Sequence, residues 1–297
     1  MIIANPIYDV VFKKLMENDK VVKFFIGTLL EETIESVEVK PQEFTYSDEL
    51  VGLAVFRLDF IATIKSGSGD YKKVLIEIQK ARNYIDLMRF RNYLAEQYKK
   101  EDLVNNEKAI LPITTIYILG FPLPGIETSC LRVERMYKDL ISKKFIEQKC
   151  DFIEKLTHDS FIVQVERITS RYQTKLDKLL SVFEQSNFTD ESKVTKQFTH
   201  KPDIEEVKII TSILHHTGTD PEERKRIEAE REAWRTVKVM FENERKVYEK
   251  SLIEKDKALS EKDKALSEKD KALSEKDKAI SEKDRIIEDL MRKLKEI

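Results

Sequence analysis

A seven-residue unit repeats without interruption near the end of the chain and restricts that part to a helix. "EKDKALS" occupies 254–260, 261–267 and 268–274, and it continues with small changes as "EKDKAIS" at 275–281 and "EKDRIIE" at 282–288. A period of seven returns one apolar position to nearly the same side of a helix, as in coiled coils. The unit also contains no glycine or proline, the residues that interrupt helices. The sequence therefore predicts a long charged helix here.

The apolar stripe of this helix favours self-association only in part. The stripe has one residue per repeat: Leu252, Leu259, Leu266, Leu273, Ile280 and Ile287. If it is the a position of a heptad, the d position is lysine in each repeat from Lys255 to Lys283. Lysine in the seam weakens a dimer, whereas Glu–Lys pairs three and four residues apart stabilise a solvated single helix. A homo-oligomer formed through this helix and a single charged helix both remain open.

Composition divides the rest of the chain. Six of the seven prolines lie before residue 215, where apolar, aromatic and polar residues mix as in a globular domain. After Asp220 the chain has no glycine and charges dominate. We predict a domain at 1–215, a helical connector at 216–250 and the heptad helix at 251–297.

The totals limit the classes of function. The net charge of −2 does not indicate that the whole chain is steered onto nucleic acid. Two cysteines, Cys130 and Cys150, are too few for a disulfide framework and lack metal-ligand spacing, which favours reduced thiols and a cytoplasmic location. The first residues lack the features of a signal peptide, and no run approaches the roughly 18 apolar residues of a membrane span. No membrane partner is expected.

Hydrophobic periodicity predicts an α/β fold with a mixed central sheet flanked by helices. The predicted strands are 53–64, 71–80, a nearly continuous apolar and hence central run at 109–121, and 161–168. The predicted helices are one or two within 5–34 with Asn5 as the cap, then 83–102, 172–185, 204–216 and a long helix capped by Thr219 or Asp220. Residues 187–203 are expected to form a loop.

The first two strands each place a carboxylate in their interior. Asp59 and Glu77 lie at equal distances from Ser68, the centre of the glycine-containing turn "SGSGD". If the hairpin closes symmetrically, the two side chains are about 5 Å apart on one face, which is destabilising for like charges. Gln79 shares that face because side chains alternate along a strand. One explanation for keeping two carboxylates together is that they bind a divalent cation, since Mg²⁺ prefers a few oxygen ligands completed by water and phosphate.

A simpler interpretation is that both carboxylates face solvent and pair with nearby lysines. Lys65, Lys72 and Lys73 flank the same turn, and antiparallel sheets often leave one face exposed to solvent. The spacing does not choose between these interpretations.

The order of the motifs resembles the PD-(D/E)XK nuclease superfamily. "YDVVFKKLM" at residues 8–16 is similar to the opening of its recombination-promoting nuclease and putative transposase branch, and "EIQ" at 77–79 is similar to that branch's Glu-x-Gln. "DPEERKRIEAE" resembles the segment that follows the core in many members. The resemblance covers about residues 5–235 and implies a restriction-endonuclease-like core.

The resemblance also implies the roles of individual residues. Asp59, Glu77 and the backbone carbonyl of Ile78 would hold Mg²⁺, with Mn²⁺ as an alternative ion. Gln79 stands where the superfamily places a lysine that orients the attacking water, and an amide lacks that positive charge. Residues with possible accessory roles are Asp9 and Lys80, although Lys80 belongs to the other strand face; possible phosphate contacts are Arg82, Arg89 and Arg91.

These expectations combine into two functions. The first is a Mg²⁺-dependent DNA endonuclease that hydrolyses phosphodiester bonds with an activated water. The second is a weak or inactive relative of such nucleases that acts as a binding or assembly module through its coiled-coil tail. Loss of cleavage without metal or in Asp59→Ala would distinguish the first from the second.

Overall fold

The computed structural model of the chain describes residues 1–39, 60–80, 84–189 and 191–294. Its strands are β1 (Ile2–Ala4), β2 (Ile34–Val39), β3 (Phe60–Ser66), β4 (Tyr71–Gln79), β5 (Asp102–Val104), β6 (Glu107–Ala109), β7 (Ile113–Leu119), β8 (Cys130–Val133), β9 (Tyr137–Lys138), β10 (Phe145–Ile146), β11 (His158–Gln164) and β12 (Thr195–Gln197). Its α-helices are α1 (Asp9–Met16), α2 (Asp19–Leu30), α3 (Tyr84–Lys99), α4 (Asp151–Leu156), α5 (Lys175–Leu180), α6 (Glu205–Thr219) and α7 (Pro221–Leu294).

Six strands form a mixed central sheet in the order β2-β3-β4-β7-β11-β8. β4, β7 and β11 are parallel neighbours, while β2, β3 and β8 join antiparallel. The apolar run predicted to be central is β7, and it lies between β4 and β11. The predicted α/β class with a mixed sheet and a long C-terminal helix is confirmed.

Alternation along β4 assigns its side chains to two different layers. Val74, Ile76 and Ile78 belong to the main core, which also contains apolar residues of α1, α2 and α6. Leu75, on the opposite face, packs with Phe90 of α3. Odd-numbered residues of β4 therefore face α3, and even-numbered residues face the main core. This assignment fixes the surroundings of the candidate site.

The start of the first helix differs from the sequence prediction. Asn5 does not cap α1, which begins at Asp9; its side chain accepts from Ile7 N and bonds to Gln185. The free amides of Asp9 and Val10 donate instead to the Glu230 carboxylate, at 3.0 and 3.1 Å. A cap supplied from a residue so distant in sequence has no local signal.

The predicted loop at 187–203 contains β12, which pairs with β1 at the start of the chain. A strand of three residues is too short to show alternation, so the periodicity did not reveal it. The prediction at the start of α7 is confirmed, because Asp220 Oδ1 accepts from the amides of Glu222 and Glu223, both at 2.9 Å. Among the described residues no helix combines the length and the apolar character of a membrane span.

Contacts divide the chain into two compact units, Met1–Trp234 and Arg235–Ile297. The first unit includes the beginning of α7, and Ile227 on that helix is fully buried in the main core. Composition placed the end of the globular domain near residue 215. The first turns of α7 are rich in charged residues, so composition did not reveal that Ile227 packs in the core.

Candidate functional site

The β3–β4 hairpin closes with the register that a symmetric turn predicts. Phe60 pairs with Ile76, and Ile61 with Leu75. Gly69 has a positive φ of 92°, which glycine adopts without strain. Asp59 precedes the first described residue of β3, so its predicted position opposite Glu77 lies outside the described residues.

Glu77 is buried in the layer between the sheet and α3. It is only 2% exposed, and its neighbour across the ladder on β7 is Tyr117. Phe90 of α3 packs on Tyr117 with ring centroids 4.6 Å apart. Burial raises the pKa of the phenols of Tyr93 and Tyr117, and the charge of Glu77 raises both further. The carboxylate therefore lies in an aromatic, low-dielectric environment.

The lysines that the simpler interpretation assigned to the carboxylates have other partners. Lys65 pairs with Glu35 at 2.7 Å, and Lys72 pairs with Glu32. Lys73 pairs with Asp102 at 2.8 Å, where the two side chains are 2% and 4% exposed. For Glu77 the solvent-facing interpretation is therefore wrong, because the strand face that appeared amphipathic is covered by α3.

Gln79 ends β4 and is partly exposed. Its carbonyl oxygen accepts a 2.8 Å hydrogen bond from the amide of Gly120, which follows β7. A side chain at position 120 would place its Cβ 3.2 Å from Lys80 Cα, so glycine allows the ends of β4 and β7 to approach closely. The Ile78 side chain is buried in the main core. Glu77 and Gln79 thus lie on one face, at the carboxyl end of β4.

Lys80 points to the opposite face, as alternation predicts. Its Nζ lies 3.1 Å from Asp9 Oδ1, pairs with Glu230, and sits 4.9 Å from the centre of the Trp234 ring. The structure therefore brings the two candidate accessory residues, Asp9 and Lys80, into contact with each other. Sequence reasoning missed Glu230, which lies in a long charged segment without a distinguishing local motif.

The predicted phosphate contacts are described only in part. Arg91 is exposed on α3. Arg82 and the side chain of Arg89 lie outside the described residues.

A cavity of about 1170 Å³ lies at the other end of the sheet, away from Gln79. It is lined by the starts of β4 and β7 and by Arg132, Arg135 and Asp159, so it holds charges of both signs. The candidate catalytic residues Glu77 and Gln79 do not line this cavity. Within the described ranges no group of three or more His, Cys, Asp or Glu is placed to hold a metal ion. Asp59, the second carboxylate of the predicted metal site, is outside those ranges.

Comparison with known proteins supplies no relative. No protein-family model matches this sequence, no curated protein matches it, and no solved structure matches it.

Proposed function

We propose that the chain is a metal-dependent DNA endonuclease of the PD-(D/E)XK type. The observation that carries this proposal is the burial of Glu77, 2% exposed, in a central strand of the sheet. Carboxylates are depleted in strands and are rarely buried there. Glu77 shares its strand face with Gln79 at the carboxyl end of β4, the arrangement that the Glu-x-Gln resemblance assigns to a site for a divalent cation.

The donor types fit Mg²⁺ when Asp59 is counted with Glu77. Two carboxylates and the Ile78 carbonyl are oxygen ligands of the kind that Mg²⁺ prefers, with water and phosphate completing the shell. A bound Mg²⁺ would lower the pKa of a water and polarise a phosphoryl group. The hairpin register supports the pairing, because its observed partners Phe60 and Ile76 are the residues next to Asp59 and Glu77.

The role of Gln79 follows from its position and chemistry. It is the last residue of β4 and more exposed than Glu77, so its amide is accessible to a water at the end of the strand. An amide both donates and accepts hydrogen bonds and can orient that water, but it supplies no positive charge. Gly120 fixes the backbone of Gln79 through the hydrogen bond to its carbonyl oxygen.

Nicking of supercoiled plasmid tests this function. We expect cleavage with Mg²⁺, none with EDTA, and a loss of about 100-fold or more in Glu77→Gln, which keeps the side-chain volume but removes the charge. Asp59→Asn is expected to cause a similar loss. Glu38→Gln is the matched control, because Glu38 is exposed on β2 of the same sheet. An intact plasmid with both Mg²⁺ and Mn²⁺, or equal activity of Glu77→Gln and wild type, would contradict the proposal.

A second candidate function is assembly through the heptad helix. The stripe residues of α7 are strongly exposed, from 49% for Ile287 to 63% for Leu273. A strict seven-residue period is what two supercoiled helices require, whereas a straight helix drifts by about 20° per heptad. If the chain acts through assembly, its oligomeric state in solution should be the same without metal and in Glu77→Gln. Removal of residues 250–297 should dissociate the oligomer and so give a smaller mass in solution.

A further inference from the structure

The connection between β8 and β11 forms a small unit of its own, which we call the insertion module (residues 134–157). It contains the β9–β10 hairpin and the short helix α4. β8 runs antiparallel to β11, with Val133 opposite Ser160 near the start of β11. The module is therefore at the amino ends of the parallel strands, at the other end of the sheet from Glu77 and Gln79.

Polar side chains hold the interior of this module together. Arg135 binds Asp159 at 3.1 Å and Glu154 of α4 at 2.7 Å, and it also donates to the carbonyl oxygen of Glu154. The hydroxyl of Tyr137 donates to the other oxygen of Glu154 at 2.5 Å. Arg135 and Glu154 are each only 21% exposed, so this network is less exposed than the large apolar residues of the module.

Apolar side chains of the module face outwards instead. All six residues of α4 are described, and none of them is buried. Eight large apolar residues of the module are exposed: Met136, Leu140, Ile141, Phe145, Ile146, Phe152, Ile153 and Leu156. They are half of the sixteen such residues described within Met1–Trp234, although the module is only 24 residues long. The usual arrangement of apolar interior and polar surface is inverted.

Hydrogen bonds within the hairpin tip define the backbone conformation that presents its exposed residues. The Asp139 carboxylate accepts from the amides of Ile141 and Ser142, at 2.9 and 3.1 Å. Ile141 is nevertheless 95% exposed and Leu140 75%. On α4, Phe152 and Leu156 are four residues apart and therefore lie on one helix face. A cluster of exposed apolar side chains on a hydrogen-bonded backbone indicates a docking site.

We propose that the outer face of the insertion module is a dimer interface that binds the same face of a second copy of this chain. The eight apolar side chains are exposed by 39–95%, and a standard interface buries about 800 Å² on each partner. Contact between identical faces around a two-fold axis closes the assembly at two copies.

Charge favours a second copy over a polyanion. The module has six basic and five acidic residues: Arg135, Lys138, Lys143, Lys144, Lys149 and Lys155 against Glu134, Asp139, Glu147, Asp151 and Glu154. A near-neutral face can oppose its own copy without strong repulsion, whereas nucleic acids and anionic lipid surfaces select a marked excess of positive charge. The proposal does not depend on nuclease activity, because the module and Glu77 lie at opposite ends of the sheet.

The experiment measures molar mass by sedimentation equilibrium with a reducing agent, since Cys150 in the module is exposed. The full-length chain with Leu266→Asp and Leu273→Asp is the reference, so that the heptad stripe cannot hide dissociation. We expect the reference to be a dimer and the addition of Ile141→Asp and Phe152→Asp to halve its mass. The matched control adds Leu103→Asp and Ile110→Asp, which lie outside the module at 66% and 63% exposure, and should stay dimeric.

Two results would overturn the proposal. One is a monomeric reference chain, including one that sediments with anionic vesicles, which would assign the face to lipid. The other is a dimer that persists after Ile141→Asp and Phe152→Asp. Far-ultraviolet circular dichroism spectra equal to that of the reference exclude misfolding as the cause of dissociation. A lower midpoint of urea unfolding is not a sign of misfolding here, because a bound partner stabilises the folded chain and its loss lowers that midpoint.

Discussion

At the scale of single residues, Lys196 on β12 shows the energetic consequence of burying an ammonium group. The residue is 2% exposed, and its Nζ donates to the carbonyl oxygens of Ser181 and Glu184. Burial lowers the pKa of Lys196 from 10.5 to about 8, while the charge of Glu184 acts in the opposite direction. The folded protein therefore releases this proton at a lower pH than the unfolded chain does.

The pKa of Lys196 predicts how stability depends on pH. Between pH 8 and 10.5 the unfolded chain binds more protons at this site, so the contribution of Lys196 to the free energy of unfolding rises with pH, by about 3 kcal/mol at most. Below pH 8 the contribution is constant. We measure the free energy of urea unfolding of wild type minus that of Lys196→Met. This quantity should be nearly constant from pH 7 to 8 and should become more positive by pH 10. Lys201→Met, at an exposed position, serves as the control; a difference that stays flat up to pH 10 would contradict the assignment.

At the scale of elements, the sequence predicted the strands that carry the candidate site better than their surroundings. The centre of the turn at Ser68 gave the register of β3 and β4, because two strands joined by a short symmetric turn have little freedom to slip. Alternation placed Glu77 and Gln79 on one face and Lys80 on the other. It did not show which face is covered, because that depends on α3, whose packing against Leu75 is a tertiary contact.

Other features of the fold had no usable local signal. β1 and β12 are three residues each and pair across almost the whole first unit. Glu230 caps α1 from more than 200 residues away. The insertion module has exposed apolar residues and a partly covered network of charged residues, an arrangement that residue type alone does not predict.

Gly120 joins the ends of two elements and allows a test of how tightly they pack. A Cβ at this position would lie 2.9 Å from Ile7 Cδ1 and 3.2 Å from both Cα and the carbonyl oxygen of Lys80. We expect Gly120→Ala to lower the free energy of unfolding by about 1–3 kcal/mol, since inserted atoms force the backbone apart. Adding Ile7→Val removes the nearest contact and should restore part of the loss. Unchanged stability in urea unfolding of Gly120→Ala would show that the two strand ends are not tightly packed.

At the scale of the whole molecule, α7 contributes residues to two different compact units. Its first turns belong to the globular unit through buried Ile227, the Glu230–Lys80 ion pair and the Lys14–Glu223 pair at 3.3 Å. The residues after Trp234 belong to the second unit, where the described apolar side chains of the heptad stripe are exposed. The same helix is therefore part of a core at one end and a solvated repeat at the other.

Two truncations test where the globular unit ends. A chain of residues 1–250 keeps every contact named above and should unfold at the same urea concentration as the full chain. A chain of residues 1–220 loses the burial of Ile227 and the Glu230 cap of α1, which should cost at least about 3 kcal/mol, since removing a buried isoleucine side chain alone costs roughly 2–5 kcal/mol and a helix cap about 1 kcal/mol. If 1–220 were as stable as the full chain, the first turns of α7 would be an attachment to the domain rather than part of it. The loss expected instead follows from Glu230, which binds the amides of α1 and the ammonium of Lys80, the residue directly after the strand that carries Glu77 and Gln79.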